Sequence, residues 1–137
     1  MFQVQPVRTR ELQSQIAAAL GCPYFENTYA FYAGELTDDA TTITSLIGLC
    51  QFTFDPEKCV IRSIAAAPGC ENDEAVFIMV RTVMNWIYRA EIPFVAIETT
   101  AAPMEYIKSL GFREVGGEWV IDLEKFYRSP CHYNHEE

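Results

Sequence analysis

The chain has 137 residues, half of them hydrophobic, which is the length of one domain with enough apolar material to close a core. Ten Lys and Arg face nineteen Asp and Glu, for a net charge of −9. Such a surface repels phosphate backbones and anionic lipid, so neither nucleic acid nor membrane is an expected partner.

The longest apolar run, Ala75 to Val80, is far short of the roughly 20 residues of a spanning helix. Met1 to Arg10 lacks the basic-then-apolar pattern of a secretory leader, and the expected setting is cytoplasmic. The five cysteines, Cys22, Cys50, Cys59, Cys70 and Cys131, are odd in number and irregular in spacing. They read as thiols rather than as a disulfide framework.

Phe2 to Val7 alternates apolar with polar residues and predicts a first strand. Thr9 is a candidate N-cap for a helix with Leu12, Ile16, Ala19 and Leu20 on one face, ended by Gly21 and Pro23. The aromatic segment Tyr24 to Tyr32 predicts a short helical turn leading into a strand that ends near Leu36. Thr37-Asp38-Asp39 marks a turn, and Thr42 to Phe54 is a long β-branched and aromatic strand. After Asp55 to Lys58 the chain returns antiparallel over Cys59 to Ala67.

The period then changes. Asn72 to Ala90 predicts the longest helix, with Asn72 as N-cap and Asp73 and Glu74 in its first turn. Arg81, Asn85 and Arg89 mark its solvent stripe, and Val76, Met79, Val80, Val83, Met84, Trp86 and Ile87 its broad buried face. Pro93 to Glu98 reads as a central strand and Pro103 to Leu110 as a helix closed by Gly111. Phe112 to Val115 and Trp119 to Leu123 form a hairpin around Gly116-Gly117. The expectation is one α/β (α+β) domain over residues 1–127, followed by a polar tail, 128–137. Its sheet would be mixed and mostly antiparallel, with six to seven strands and helices on both faces. Cys131, His132 and His135 in the tail are too few and too close to the end to predict a metal site.

Two segments carry a resemblance. Ile61-Arg62-Ser63-Ile64-Ala65-Ala66-Ala67-Pro68 resembles the L-x-x-L-A-V-x-P fourth strand of the GNAT family, the acyl-CoA-dependent N-acetyltransferases. Ile107-Lys108-Ser109-Leu110-Gly111-Phe112 is similar to that family's Y-x-x-L-G-F helix end, and Ile97-Glu98-Thr99 to a frequent fifth-strand ending. The resemblance implies a V-shaped parting of the fourth and fifth strands. The pantetheine arm of acetyl-CoA or another acyl-CoA would lie there against the backbone of Ile64, Ala65 and Ala66. The three alanines from Ala65 to Ala67 leave room for that arm, or else pack closely under a helix.

The chain departs from the family where phosphate and chemistry are handled. Counted from Pro68, the R/Q-x-x-G-x-G/A pyrophosphate loop falls on Glu71, Glu74 and Val76, carboxylates where an anion would sit. Gly69 and Cys70 offer another start for the loop. The family's strand base falls on Arg62, which holds its proton at neutral pH. Its thiolate-protonating Tyr falls on Ile107, with Tyr106 one residue, about 100°, round the helix. The Asn before that helix falls on Thr100. Glu98 or Glu35 would serve as surrogate base and Tyr106 as acid. Tyr24, Phe25 and Tyr29 resemble the wall of the family's acceptor pocket, unless they serve only as core.

Two functional readings follow. One is an N-acyltransferase acting on an amine of a small molecule or peptide by direct attack. The other is a catalytically degenerate protein of the same fold that binds a ligand or partner. The family also suggests a homodimer through the late strands.

Overall fold

The structure is a computed structural model and describes residues 1–71 and 74–128. Seven strands form one sheet in the order β1-β2-β3-β4-β5-β7-β6. They are β1 (Phe2–Pro6), β2 (Tyr29–Leu36), β3 (Ile43–Phe54), β4 (Lys58–Ala66), β5 (Phe94–Ile97), β6 (Arg113–Val115) and β7 (Glu118–Asp122). Only β4 and β5 run parallel. The helices are α1 (Arg10–Leu20), α2 (Glu74–Arg89), α3 (Met104–Ser109) and α4 (Leu123–Arg128). The mixed, mostly antiparallel sheet with helices on both faces is the architecture the sequence predicts.

Local chemistry sets most boundaries. Thr9 caps α1, its side chain accepting from the Leu12 N–H at 3.0 Å, and Gly21 ends it in the left-handed region at φ 72°. Gly116 and Gly117 both have positive φ, 60° and 86°, as a tight hairpin turn between β6 and β7 requires. The N-cap predicted at Asn72, the first-turn Asp73, and the tail with Cys131, His132 and His135 lie outside the described residues.

The two faces have separate cores. On one, α1 packs Ile16 and Ala17 against Ala30, Tyr32, Leu36 and Leu49. On the other, α2 buries Val76, Met79, Val80, Val83, Met84 and Ile87 against β2, β3, β4 and β5. Ile107, Leu110, Phe112, Leu123 and Phe126 join this larger core.

Three local expectations change. Tyr24 to Tyr32 holds no helical turn. The chain turns at Glu26-Asn27, with Asn27 at φ 60°, and enters β2 at Tyr29. Arg81 is not on a solvent stripe. Its guanidinium lies over the Phe77 and Phe126 rings at 4.5 and 4.6 Å, because α4 covers that flank of α2. Trp86, expected inside, is 40% exposed, although its ring packs edge-on against Phe31, Phe52 and Phe54 of the sheet.

Gly48 on β3 lies opposite Ala66 on β4. A Cβ there would stand 2.9 Å from the Ala65 carbonyl oxygen and 3.2 Å from the Met79 Cε. The carbonyl cannot yield without breaking the β3–β4 ladder. Gly48→Val is expected to lower stability by about 1–3 kcal/mol in urea unfolding, as overpacking does. An unchanged midpoint would show that β3 and β4 have slack there.

Candidate functional site

The site begins with one extra residue. Along β3 and β4, Gln51 pairs Ser63 but the next pair is Phe52 with Ile61, so Arg62 is a β-bulge. A bulge bends its strand and reverses the alternation of side chains. Ile61 and Ile64 therefore both meet the α2 core, although they are three positions apart and strict alternation would put them on opposite faces. The bulge coincides with the end of the parallel pairing, whose last partners are Ile61 and Ile97.

Beyond that point β5 becomes a turn. The Glu98 N–H donates to the Ile61 carbonyl at 3.0 Å, and the Ala101 N–H to the Glu98 carbonyl at 2.9 Å. The Ala101 carbonyl accepts from the Ile64 N–H at 3.0 Å. Of the predicted backbone positions, Ile64 thus has its amide engaged within the chain. Ala65 faces β3, opposite Leu49. The Ala67 N–H also turns to β3, bonding the Ile47 carbonyl at 2.8 Å. By alternation the Ala66 N–H and C=O face the gap.

The gap is a slot of about 390 Å³. Ile64, Ala66 and Val76 form its apolar side, Ala102, Pro103, Tyr106 and Ser109 the α3 side, and Glu71 and Glu105 add carboxylates. Ile107 is fully buried, and Leu110 with it, so the short α3 presents Tyr106 to the slot instead. The Tyr106 hydroxyl is shut off from solvent and has no hydrogen-bond partner. Burial raises its pKa above the ordinary tyrosine value, the nearby Cys50 adds to the rise, and Arg81 opposes it.

Below the slot lies the loop where the sequence placed phosphate binding. The Cys70 N–H closes a turn on the Ala67 carbonyl at 2.8 Å, and Gly69 takes φ 86°. The Gly69 N–H donates to the Glu71 carboxylate at 3.0 Å. The chain's own anion therefore takes up an amide of this loop. Thr100 stands exposed in the turn after β5, away from the slot's lining.

Solved structures share this fold. A GNAT-family acetyltransferase from Staphylococcus aureus superposes with TM-score 0.65 at 10% identity, covering 90% of this chain and 99% of that one. The spermidine/spermine N-acetyltransferase SpeG from Vibrio cholerae gives 0.63 at 14%, covering 94% and 99%. A GNAT acetyltransferase from Elizabethkingia anophelis, solved with acetyl-CoA bound, gives 0.58 at 12%, covering 88% and 97%. The fold is the GNAT fold. No protein-family model matches the sequence, and no curated protein does.

In this GNAT-fold chain the α1 side of the parting carries a different chemistry. The bulged Arg62 donates through Nε to the Glu98 carboxylate at 2.8 Å, and its guanidinium lies 5.0 Å from the Phe25 ring centroid. Both charged side chains are about one-third exposed or more, so the pair orients them more than it stabilises the fold. Phe25 is held by a polar network that no local pattern signals. The buried Gln51 accepts from the Phe25 N–H at 3.0 Å and from Gln13 Nε2 at 2.8 Å, and donates to the Pro23 carbonyl at 2.9 Å. Gln13 also donates to Thr28, whose hydroxyl donates to the Phe25 carbonyl at 2.6 Å.

The other residues predicted for a substrate pocket do not converge with Phe25. Tyr24 packs against the α1 core. Tyr29 packs tilted against Phe54, ring centroids 4.7 Å apart and planes at 40°, beside Trp86. Glu35 stands 3.2 Å from the Met1 ammonium, where β1 meets β2.

Gln51→Leu leaves the Phe25 N–H and Pro23 carbonyl without their partner. Each buried group left unpaired costs about 1–3 kcal/mol. The expected result is a stability loss of at least about 2 kcal/mol. The Phe25 amide should also exchange faster while the α2 core stays protected. Uniform exchange would place the role of Gln51 in general packing.

Proposed function

We propose that this protein binds an acyl thioester in the β4–β5 slot and transfers the acyl group to an amine. The observation that carries the reading is the parting of the strands at the Arg62 bulge, with Tyr106, whose buried hydroxyl has no partner, among the residues of the slot. The slot suits a pantetheine arm: it is narrow, apolar along Ile64 and Val76, and edged by the Ala66 main chain. The Gly69–Glu71 loop does not suit the diphosphate of CoA, and no step is assigned to that group.

When bound, the thioester supplies an activated acyl carbon. Tyr106 holds a proton for the departing sulfur and, with its pKa raised, keeps that proton through neutral pH. Glu98, at the far side of the parting, receives the amine's proton, and Arg62 fixes its orientation. The N–C bond forms as the C–S bond breaks, and solvent restores both side chains. Direct attack is favoured over a cysteine relay. Cys50 and Cys59 are buried, and burial pushes the Cys59 thiol up to about 12 and Cys50 higher still.

The acceptor reading is an amine of a small molecule or peptide. The charge of −9 steers cations, and the Phe25 ring and Glu98 carboxylate, which both contact Arg62, already receive one cationic side chain. Among the named neighbours one acts on spermidine and spermine, and another is the NatC complex bound to a Gag peptide and CoA. No helix of the described residues is long and apolar enough to cross a membrane. Cys22, Cys50 and Cys59 are free thiols, which suits the cytoplasm.

A second reading, a binding module without turnover, is favoured by one observation: Glu71 fills the loop amide that an anionic donor would use. The two readings separate by assay. Acetyl-CoA and S-acetyl-pantetheine are offered with a polyamine, a lysine peptide and an aryl amine, and thiol release is followed with product mass. Acylated amine is expected, and Tyr106→Phe should lower kcat at least about tenfold with little change in KM, the size of a lost general acid. The wild-type advantage over Tyr106→Phe should persist from pH 7 to pH 9, because burial raises rather than lowers the tyrosine pKa. Donor binding without product from any amine would leave the binding module.

A further inference from the structure

We infer that Glu71 is a specificity residue that turns the slot toward donors ending in a pantetheine-like amide arm and away from donors carrying a nucleotide diphosphate. The inference rests on the acyl-donor reading above and narrows its substrate class.

Three observations meet at one end of the slot. First, the slot itself is complete for an uncharged chain. It has an apolar side at Ile64 and Val76, main-chain polar atoms at Ala66, and the Tyr106 hydroxyl awaiting a partner. None of these features needs an anion on the ligand. Second, Glu71 lines the slot, and its carboxylate accepts the Gly69 N–H at 3.0 Å. Gly69 is in the positive-φ conformation that turns the loop, so the bonded amide belongs to the part of the chain able to curl round a phosphate. A diphosphate would have to displace this carboxylate and then lie beside it. Third, Glu105 lines the same slot from α3. A ligand in the slot meets both carboxylates, and no Lys or Arg is among the described residues that line it.

The charge pattern sorts donors without affecting chemistry. A thioester on a bare pantetheine-like arm meets the strand edge and Tyr106 and ends before Glu71 matters. The same arm continued by a diphosphate brings its negative charge onto Glu71. The repulsion is electrostatic, so it weakens as salt screens it.

The test is a binding measurement with two ligands and needs no turnover. Titration calorimetry compares S-acetyl-pantetheine with acetyl-CoA at low and high salt. The expected result is at least fivefold tighter binding of S-acetyl-pantetheine at low salt, with the gap narrowing at high salt. Glu71→Gln removes the charge but keeps an oxygen for Gly69, whereas Glu71→Ala also releases the amide. Both should leave S-acetyl-pantetheine within twofold of wild type. Acetyl-CoA should tighten at least threefold with Glu71→Gln and further with Glu71→Ala. If acetyl-CoA binds the wild type as well as S-acetyl-pantetheine does, or if neither variant changes the ratio, the inference falls and the acyl-donor reading stands. If neither ligand binds the wild type at millimolar concentration, the acyl-donor reading itself falls. The wild-type comparison decides between these outcomes even if a variant fails to fold.

Discussion

The structure turns on the bulge at Arg62. Without it, β4 would alternate regularly and continue alongside β5, and the sheet would close. With it, Ile61 and Ile64 both reach the α2 core, and the side chain between them swings to the α1 side. The strand bends where its parallel partner ends. Main-chain groups that lose a ladder partner cannot be left buried and unpaired. The turn after β5 answers most of this need, since Glu98 donates to Ile61 and Ala101 accepts from Ile64. Ala66, past the reach of that turn, is where the edge of β4 meets the slot.

One residue therefore couples the two sides of the sheet. Toward α2 the bend produces an apolar slot with Tyr106 on its wall. Toward α1 it presents Arg62 to Glu98 and Phe25. Phe25 depends in turn on Gln51, which lies on β3 next to the bulge and bonds the loop before β2 from 26 and 28 residues away. The buried amide network keeps this side rigid, because each of its polar atoms has a partner and any displacement would expose one. A slot and an ion pair set on opposite sides of a parting are thus held in register by a strand irregularity and a glutamine.

Much of this architecture was legible because periodicity and turn chemistry are local. Alternation marked β1, β-branched and aromatic content marked β3, the turn at Asp55 to Lys58 marked the return into β4, the 3.6-residue pattern marked α1 and α2, and the two glycines marked the last hairpin. The bulge was not legible. Arg62 carries no glycine or proline to announce it, and ordinary alternation treats it as one more strand residue. For the same reason the pairing of Glu98 with Arg62 was not legible, although the parting brings the two together. The loop from Tyr24 to Tyr29 looked helical from its aromatic density, but its hydrogen bonds go to a side chain on another strand. α4 escaped because six residues with Leu123 and Phe126 inside give too short a pattern to show a period, and with it went the cover over Arg81. The motif placed Ile107 at the slot. A helix of only six residues can send Ile107 and Leu110 to the core and leave Tyr106 outward, a rotation that the motif alone does not encode.

The slot and the phosphate loop depend on different physics, which is why one can persist while the other is altered. A strand edge with small residues beside it follows from backbone geometry, and any sequence that keeps the bulge and the short α3 will keep it. A grip on phosphate needs open amides and a favourable local charge. Two unit charges 5 Å apart repel by only about 0.8 kcal/mol in water, but by roughly 3 kcal/mol at the effective dielectric of a protein surface. Glu71 both occupies an amide and adds such a charge. On the inference drawn above, a single side chain reverses the preference of the loop without disturbing the strands above it. On the same proposal the strands supply a place for an extended amide chain whatever the loop does, and the loop decides which chains carrying what charge use it.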